Sequence, residues 1–442
     1  MTKVSFISLG CSKNLCDTEV MLYNLHRAGF EVTLEPEEAE IVIINTCGFI
    51  QSAKEESIDN ILDAAELKKW GKCRHIIATG CLVERYREEV MELLPEVEAL
   101  VGVGSLDKIA EACSAVMRGE KYTSFEDKNK SKLGGGRILT TAPHTAYLKI
   151  AEGCDNRCTY CAIPLIRGSF RSRTIEDIVN EARELEASGV VELNLIAQDT
   201  SRYGLDLYGE YSLARLVREI CAATNIPWIR LLYCYPDKIT DELIDELANN
   251  PRLVKYMDIP IQHISDNMLT AMNRHGGKQL IVDTVKKLRE RVKGITLRTT
   301  AMVGFPGESE EDFAELCEFI KEARFERFGA FTYSPEEDTP AYSFDCQIDE
   351  QVKQDRYDCL MQTQLTVAEE QNRRWIGKRL TVLIDGWDSV AEIYYARSMA
   401  DAPDVDGRVY VKARRGELAP GTFATVKVEE ALDYDLIAKL IK

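Results

Sequence analysis

Three cysteines of this chain, Cys11, Cys47 and Cys81, each stand directly after a strand-like apolar run, in Ser8-Leu-Gly-Cys11, Asn45-Thr-Cys47-Gly and Thr79-Gly-Cys81. That placement restricts the fold, because residues far apart in sequence that end successive strands meet where those strands lie side by side with their carboxyl ends together. The runs at residues 4–9, 41–45, 76–79 and 100–103 alternate with helical patterns, among them residues 49–69 and 82–94. The alternation predicts a small, mostly parallel α/β sheet with the three thiols converging at one edge.

A second group is compact. Cys154, Cys158 and Cys161 form a C-x3-C-x2-C run at the end of the apolar segment 146–151, and the other eight of the fourteen cysteines lack mutual spacing and default to small buried hydrophobes. The chain begins Met-Thr-Lys-Val-Ser-Phe, without a basic or apolar leader, and contains no apolar run long enough to span a bilayer. The expected compartment is therefore the reducing cytoplasm, where clustered cysteines mean metal or catalysis more often than cross-links. Structural zinc takes four nitrogen or sulfur ligands, usually as two pairs, and no neighbouring histidine completes either group. Three thiolates suit a four-iron cluster whose fourth iron is open to another ligand. Cys11, Cys47 and Cys81 are thus candidate ligands of one [4Fe–4S] cluster, and Cys154, Cys158 and Cys161 of another.

With 442 residues, 45% of them hydrophobic, the chain can form two or three cored domains. Its formal charge of −18 repels phosphate backbones, so a basic protein is a better-matched partner than nucleic acid. Residues 1–125 read as the α/β domain, and the polar, glycine-rich stretch 126–139, with Lys128, Lys130, Lys132 and Gly134 to Gly136, as a linker. Residues 140–375 carry six strand candidates, 146–151, 191–197, 228–234, 256–261, 296–303 and 328–333, in alternation with helices. Thr174 before Ile175-Glu176-Asp177 reads as a helix start and Gly189 as its stop. Six β/α units predict a partial barrel with a side open to a large substrate. After a long charged helix at 349–375, residues 376–442 show short strands at 380–384, 392–398, 409–413 and 424–428, with turns at Asp385-Gly386 and Pro420-Gly421. That spacing predicts a small antiparallel barrel.

The compact run, with Tyr160 before its last cysteine, resembles the signature of the radical S-adenosylmethionine (SAM) superfamily. The resemblance extends along the chain through Ser8-Leu-Gly-Cys-Ser-Lys-Asn14, Asn45-Thr-Cys-Gly-Phe49, Cys154 to Arg167-Gly168, Leu195-Ile-Ala-Gln-Asp-Thr200, Asp258-Ile-Pro-Ile-Gln-His263, Val303-Gly-Phe-Pro-Gly-Glu308 and Tyr333-Ser-Pro-Glu-Glu337. The whole is similar to the radical SAM methylthiotransferases, with an N-terminal cluster domain, a radical SAM barrel and a C-terminal TRAM barrel. The resemblance implies two [4Fe–4S] clusters and two SAM molecules, one supplying a methyl group and the other a 5′-deoxyadenosyl radical, with the second cluster carrying the sulfur. Hydrogen abstraction from an unactivated carbon is chemistry that side chains cannot manage without a cofactor. Candidate SAM contacts at the strand ends are Gln198, Asp199, Gln262, His263, Arg298 and Gly304. Asp199 also reads as a helix cap, Gly304 as a plain turn residue and His263 as a core histidine.

Two branches of that family differ in substrate. Leu9-Gly-Cys-Ser-Lys-Asn14 and Tyr333-Ser-Pro-Glu-Glu337 are similar to the branch that modifies an aspartate β-carbon in protein S12 of the small ribosomal subunit; the alternative is an adenosine derivative in transfer RNA. Asp338 departs from the family's usual Glu-Glu-Gly-Thr, which bears on the conformation of that turn and not on the chemistry. From residue 376 to the end there are ten basic and eleven acidic side chains, whereas an RNA-gripping module is normally plainly basic. That balance favours a basic ribosomal protein as substrate, with Lys412, Arg414 and Arg415 read as a solvated face. The resemblance further implies a reductant or electron-donor protein and a sulfur donor. A carrier of two clusters without catalysis is the remaining class, and it has no reason to bind SAM.

Overall fold

The computed structural model describes residues 1–441 and divides into two compact units. The first comprises Met1–Thr140, Lys149–Arg173 and Ser334–Tyr342; the second comprises Thr141–Leu148, Thr174–Tyr333 and the chain from Ser343 onward.

The first unit is built on a six-stranded, all-parallel sheet in the order Glu31–Val32, Lys3–Ser8, Ile41–Thr46, His75–Gly80, Ala99–Val101 and Tyr122–Ser124. Because side chains alternate along a strand, Ile41, Ile43, Ile77, Ala99 and Val101 face the helices Ser12–Arg27 and Ile109–Met117. Val42, Ile44, Ile76, Ala78 and Leu100 face the helices Gln51–Trp70 and Cys81–Leu93. Both faces are covered, which is why these strands read as continuous apolar runs. From Lys3–Ser8 the chain adds one strand on one side and then crosses to Ile41–Thr46 on the other, so the order reverses between those two strands. Residues 126–140 form no helix or strand, yet they are pinned: Arg137 pairs with Glu19, and Arg171 donates to the Ser131 carbonyl at 2.7 Å.

In the second unit six strands, the first of them reaching its last residue at Lys149, run in sequence order as two three-stranded ladders, Thr145–Lys149, Glu192–Ile196 and Trp228–Leu231, then Tyr256–Asp258, Thr296–Val303 and Arg327–Thr332, with Glu192–Ile196 parallel to Trp228–Leu231 and the second ladder parallel throughout. A bridge between Ile229 and Leu253, and the Cys234 N–H donating to the Asp258 carbonyl at 2.9 Å, join the halves into a partial (β/α)6 barrel. Thr174 caps helix Ile175–Ala187 by accepting the Asp177 N–H at 3.2 Å, and Gly189 follows it at φ +99°.

Helix Glu350–Arg373 leads to a closed five-stranded barrel of Arg379–Asp388, Ile393–Ser398, Val409–Lys412, Leu436–Leu440 and Phe423–Ala431. In this barrel three features depart from the sequence reading. Asp385-Gly386 is not a hairpin turn but lies inside a ten-residue strand, where the register shifts between Ile384 and Gly386 and bends it around the barrel. Leu436–Leu440, absent from the sequence reading, closes the ring, and because it runs antiparallel to Phe423–Ala431 but parallel to Val409–Lys412 the barrel is not antiparallel throughout, as expected from the sequence, but mixed. Residues 397–406 of this barrel cap the amino ends of the parallel strands. Arg397 meets Glu192 at 2.6 Å, the Met399 carbonyl accepts from Arg230 at 2.8 Å, Asp401 meets Arg327 at 2.5 Å and Asp406 accepts from Tyr256 at 2.6 Å.

Candidate functional site

The three strands that lead into the dispersed cysteines are neighbours. Ser8 pairs with Asn45 and Thr46 with Gly80, so the loops bearing Cys11, Cys47 and Cys81 leave one sheet edge side by side. That edge is the carboxyl end, where open α/β sheets place their ligands, and it includes the point at which strand order reverses. Cys11 occupies the cap of helix Ser12–Arg27, and Cys81 is the first residue of helix Cys81–Leu93. The approach is close. A Cβ placed on Gly10 would fall 2.9 Å from Sγ of Cys47, and one on Gly80, at φ +93°, would fall 2.4 Å from Oδ1 of Asn45 and 2.5 Å from the Thr46 carbonyl. Only glycine fits there.

Two buried asparagines fasten these loops to each other. Asn14 Nδ2 donates to the carbonyls of Leu9 at 2.8 Å, Asn45 at 3.3 Å and Thr46 at 3.2 Å. Asn45 Nδ2 donates in return to the Asn14 carbonyl and to Thr18 Oγ1, both at 2.8 Å. The Cys47 N–H donates to Ser57 Oγ at 2.9 Å. The motif asparagines are therefore the fasteners of the cysteine loops.

The compact cysteines lie between the paired segments Ala151–Glu152 and Arg171–Ser172. A Cβ on Gly153, at φ +80°, would fall 2.1 Å from the Ser169 carbonyl oxygen, so the two arms of the loop touch at that point. The Cys154 N–H donates to the Gly168 carbonyl and the Cys161 N–H to the Cys158 carbonyl, each at 3.1 Å. Arg157, between the first two cysteines, turns the chain through the left-handed region at φ +50°. The Thr159 carbonyl accepts from the Ala341 N–H at 2.9 Å. The segment bearing Ala341 is held by Glu336, buried between Lys54 at 3.1 Å and Arg85 at 2.7 Å, while Tyr86 donates to Glu337 at 3.1 Å. Asp338 takes φ +62°, a conformation that aspartate tolerates better than most side chains.

Arg167 joins the two triads. It ends the short helix Ile163–Arg167 after Cys161 and is only 3% exposed. Its Nη2 donates to Sγ of Cys81 at 3.2 Å and to Oδ1 of Asn14 at 3.1 Å, while Nη1 donates to Asp17 at 2.5 Å and reaches Glu152 at 3.4 Å. Lys149 completes the set, donating to Asp17 and, at 2.6 Å, to Glu152. Two cations thus face two carboxylates in a dry interior, the arrangement that lets buried charges persist. Cys81 packs against Ala162 and Ile166 of the same short helix.

Burial pushes the Cys47 and Cys81 thiols up, Cys81 to about 12, and Arg167 pulls against that rise in both. A thiol so placed keeps its proton until a metal displaces it. Among the described residues no three His, Cys, Asp or Glu side chains stand close enough to share one ion. The thiolates of a four-iron cluster bind different irons and stand farther apart than the sulfurs around one zinc, each about 2.3 Å from the ion. Three thiols on one edge, brought near by glycine and accompanied by a cationic donor, fit such a cluster in chemistry and in charge.

The other candidates belong to the second unit. Gln262, after the fourth barrel strand, sits at φ +68°, with its N–H on the Thr300 carbonyl at 2.8 Å and its carbonyl accepting from Met302 at 2.7 Å. Gln198 is half-buried; Asp199 is enclosed, accepting from Ser201 at 2.7 Å with Lys238 at 3.4 Å. His263 is fully buried. Its Nδ1 accepts the Ser265 N–H at 3.1 Å, so Nε2 carries the proton and donates to Glu308 at 3.1 Å. Glu308 also accepts from the Gly304 N–H and from Arg356, both at 2.6 Å, and so organises the whole Gly304–Glu308 turn. Arg298 is paired with Asp258 at 3.0 Å and Asp406 at 3.4 Å. The sequence alone assigns no role to Asn14, Arg167, Lys149, Asp17 or Glu336; Asn14, Arg167 and Glu336 lie inside the motifs named above, which is the available signal.

Comparison with known proteins agrees with this anatomy. Family profiles match residues 148–320 (Radical SAM superfamily), residues 3–102 (Uncharacterized protein family UPF0004) and residues 376–441 (TRAM domain). A ribosomal protein uS12 methylthiotransferase RimO of Clostridium kluyveri is 48% identical over 98% of this chain and 97% of its own length. The protein of that name from Caldicellulosiruptor saccharolyticus is 46% identical over 100% of both chains. Among solved structures, the radical S-adenosylmethionine methyltransferase TsrM of Kitasatospora setae, with tryptophan and a SAM analogue bound, matches with a TM-score of 0.58 at 14% identity, over 83% of this chain and 89% of that one. The same protein with cobalamin and a [4Fe–4S] cluster bound gives 0.57 at 16% identity over 77% of each chain. At such identities the likeness is one of fold.

Proposed function

The chain belongs to the ribosomal protein uS12 methylthiotransferases, the RimO family, and from that membership we propose how its two triads divide the reaction. The enzyme is a radical SAM methylthiotransferase that adds a methylthio group to an aspartate β-carbon of uS12, using [4Fe–4S] clusters and SAM. The observation that carries this is identity of 45–48% along essentially the whole chain to proteins of that one name. The transfer-RNA alternative is not favoured.

In our reading Cys154, Cys158 and Cys161 hold the cluster that meets SAM, and Cys11, Cys47 and Cys81 hold the second. Bound there, the first cluster supplies the electron for SAM cleavage and the second holds the sulfur to be transferred. The protein's work is placement and exclusion of water. Asn14 and Asn45 fix the thiol loops, and Arg167 with Asp17, Lys149 and Glu152 ties the compact loop to the dispersed edge. Gln198, Asp199, Gln262 and the Gly304 turn are assigned to SAM. The strained backbone at Gln262 supports its part, since such strain persists where the surroundings enforce it. His263 and Arg298 act there through Glu308 and Asp258, as positioning groups. A reductant, taken to be an electron-donor protein, and a sulfur donor complete the reaction, which we assign to the cytoplasm. No helix among the described residues is long and apolar enough to cross a membrane.

The test is direct. Reconstituted protein given SAM, reductant and sulfide should add about 46 Da to a uS12 peptide, the replacement of H by SCH3 in cofactor-borne chemistry. Methylthiolation of transfer RNA with none on uS12 would overturn the assignment of substrate.

A further inference from the structure

A fully buried guanidinium rarely donates to a cysteine sulfur without consequence for that sulfur. Arg167 places one donor on Sγ of Cys81 at 3.2 Å and another on Oδ1 of Asn14 at 3.1 Å, from a position six residues after the last compact cysteine. Asn14 is itself the fastener of the Cys11 and Cys47 loops, so one side chain reaches all three loops of the dispersed triad directly or through one hydrogen bond. We propose that Arg167 is a positioning residue for the dispersed cluster, one that raises its reduction potential through the hydrogen bond to Cys81 and couples that tuning to the seating of the compact loop. This rests on the reading of Cys11, Cys47 and Cys81 as cluster ligands.

The direction follows from charge. Reduction adds an electron to a centre already negative from its three thiolates, and a cation donating to one of those sulfurs stabilises the more negative state. The remaining partners are in balance only while Arg167 is present: Lys149 and Arg167 against Asp17 and Glu152. Removing the guanidinium therefore takes away a donor and leaves a net negative charge beside Cys81, and both effects make the cluster harder to reduce. A lysine keeps the charge but lacks the planar fork that spans Cys81 and Asp17 together, so it restores part of the effect.

The dispersed cluster is isolated in full-length protein carrying Cys154→Ala, Cys158→Ala and Cys161→Ala, and its potential is read by electron paramagnetic resonance during anaerobic redox titration. Arg167→Gln in this background should shift the reduction equilibrium at least tenfold toward the oxidised form, about 59 mV for one electron. Arg167→Lys should recover part of that shift. In the converse background, with Cys11→Ala, Cys47→Ala and Cys81→Ala, the same replacement should move the compact cluster far less. An unchanged potential in iron-replete Arg167→Gln protein, or an equal shift in both backgrounds, overturns the inference. If Arg167→Gln fails to fold, the pair Asp17→Asn with Arg167→Gln leaves Lys149 balanced by Glu152 and isolates the loss of the donor to Cys81, so a smaller shift in the same direction is expected and an unchanged potential overturns the inference. Absence of iron from the first background even with Arg167 intact would instead sink the ligand assignment beneath it, and the inference with it.

Discussion

Cys11, Cys47 and Cys81 owe their meeting to a sheet, whereas Cys154, Cys158 and Cys161 are gathered by one loop of local turns. The first set depends on contacts between residues more than thirty positions apart, such as Asn14 to Thr46 and Gly80 against Asn45. The second needs only that the arms of a loop close at Gly153 and that Arg157 turn left-handed between two cysteines. A local site survives as a spacing that can be read along the chain; a site made by topology survives only as scattered residues that share a position at strand ends. The two should therefore fail independently when their own closures are broken.

Backbone closure offers the strongest test. Gly80→Ala forces a Cβ into the Asn45 and Thr46 contacts, and Gly153→Ala forces one into Ser169. Each variant should lose about four of about eight irons, since one cluster of two is lost. The surviving chemistry should differ: Gly80→Ala protein still cleaves SAM reductively but transfers no methylthio group, whereas Gly153→Ala protein does neither. Loss of all iron in either variant would show that the triads are one cooperative structure and not two.

That contrast also explains what was legible in the sequence. The doubly covered sheet announced itself because its strands are buried on both faces, and the barrel strand Thr296–Val303 lies where its run of β-branched residues predicted. Thr174 and Gly189 bounded their helix because capping is local chemistry. Asp385-Gly386 misled, since the dipeptide of a hairpin also suits a bulge, and which one forms depends on the partner strand. Leu436–Leu440 was invisible because its place is set by pairing with strands on both sides, not by its own pattern. Arg167 and Glu336 lay in motifs without a role, since a buried charge has a meaning only once its partners are known.

Glu336 sharpens the comparison, because it ties the segment that contacts the compact loop to helices of the dispersed domain. Its carboxylate is 2% exposed, between Arg85 at 3% and Lys54 at 11%. Glu336→Ala strands two buried cations and should destabilise by about 3–5 kcal/mol in urea unfolding of the apoprotein. Glu336→Gln, which keeps the shape and one acceptor, should cost less. Equal unfolding midpoints for wild type and Glu336→Ala would mean that this clasp adds nothing. A smaller effect, about 1–3 kcal/mol, is expected of Asn14→Ala, which removes the buried amide donor shared by the Leu9, Asn45 and Thr46 carbonyls. Iron should fall only from the dispersed site, by about the one-cluster share of four.

The smallest expected effect lies in pH, at the network where the triads meet. Burial opposes the charge on Lys149, but Asp17 and Glu152 outweigh it and hold its pKa above the ordinary lysine value. A group whose folded pKa is raised binds its proton more tightly in the native state, so its contribution is complete below the unfolded value of about 10.4. It is lost as pH rises from there through the folded value, where the unfolded chain has fewer protons bound. Apoprotein compared with Lys149→Met should therefore show a stability difference that is constant from pH 7 to 9 and then narrows by up to about 1.4 kcal/mol per pH unit above about 10.4. Urea midpoints at pH 9 and pH 11 measure it. A difference that stays the same at both would mean that Lys149 is not held charged by Asp17 and Glu152, and that the seam between the triads rests on Arg167 alone.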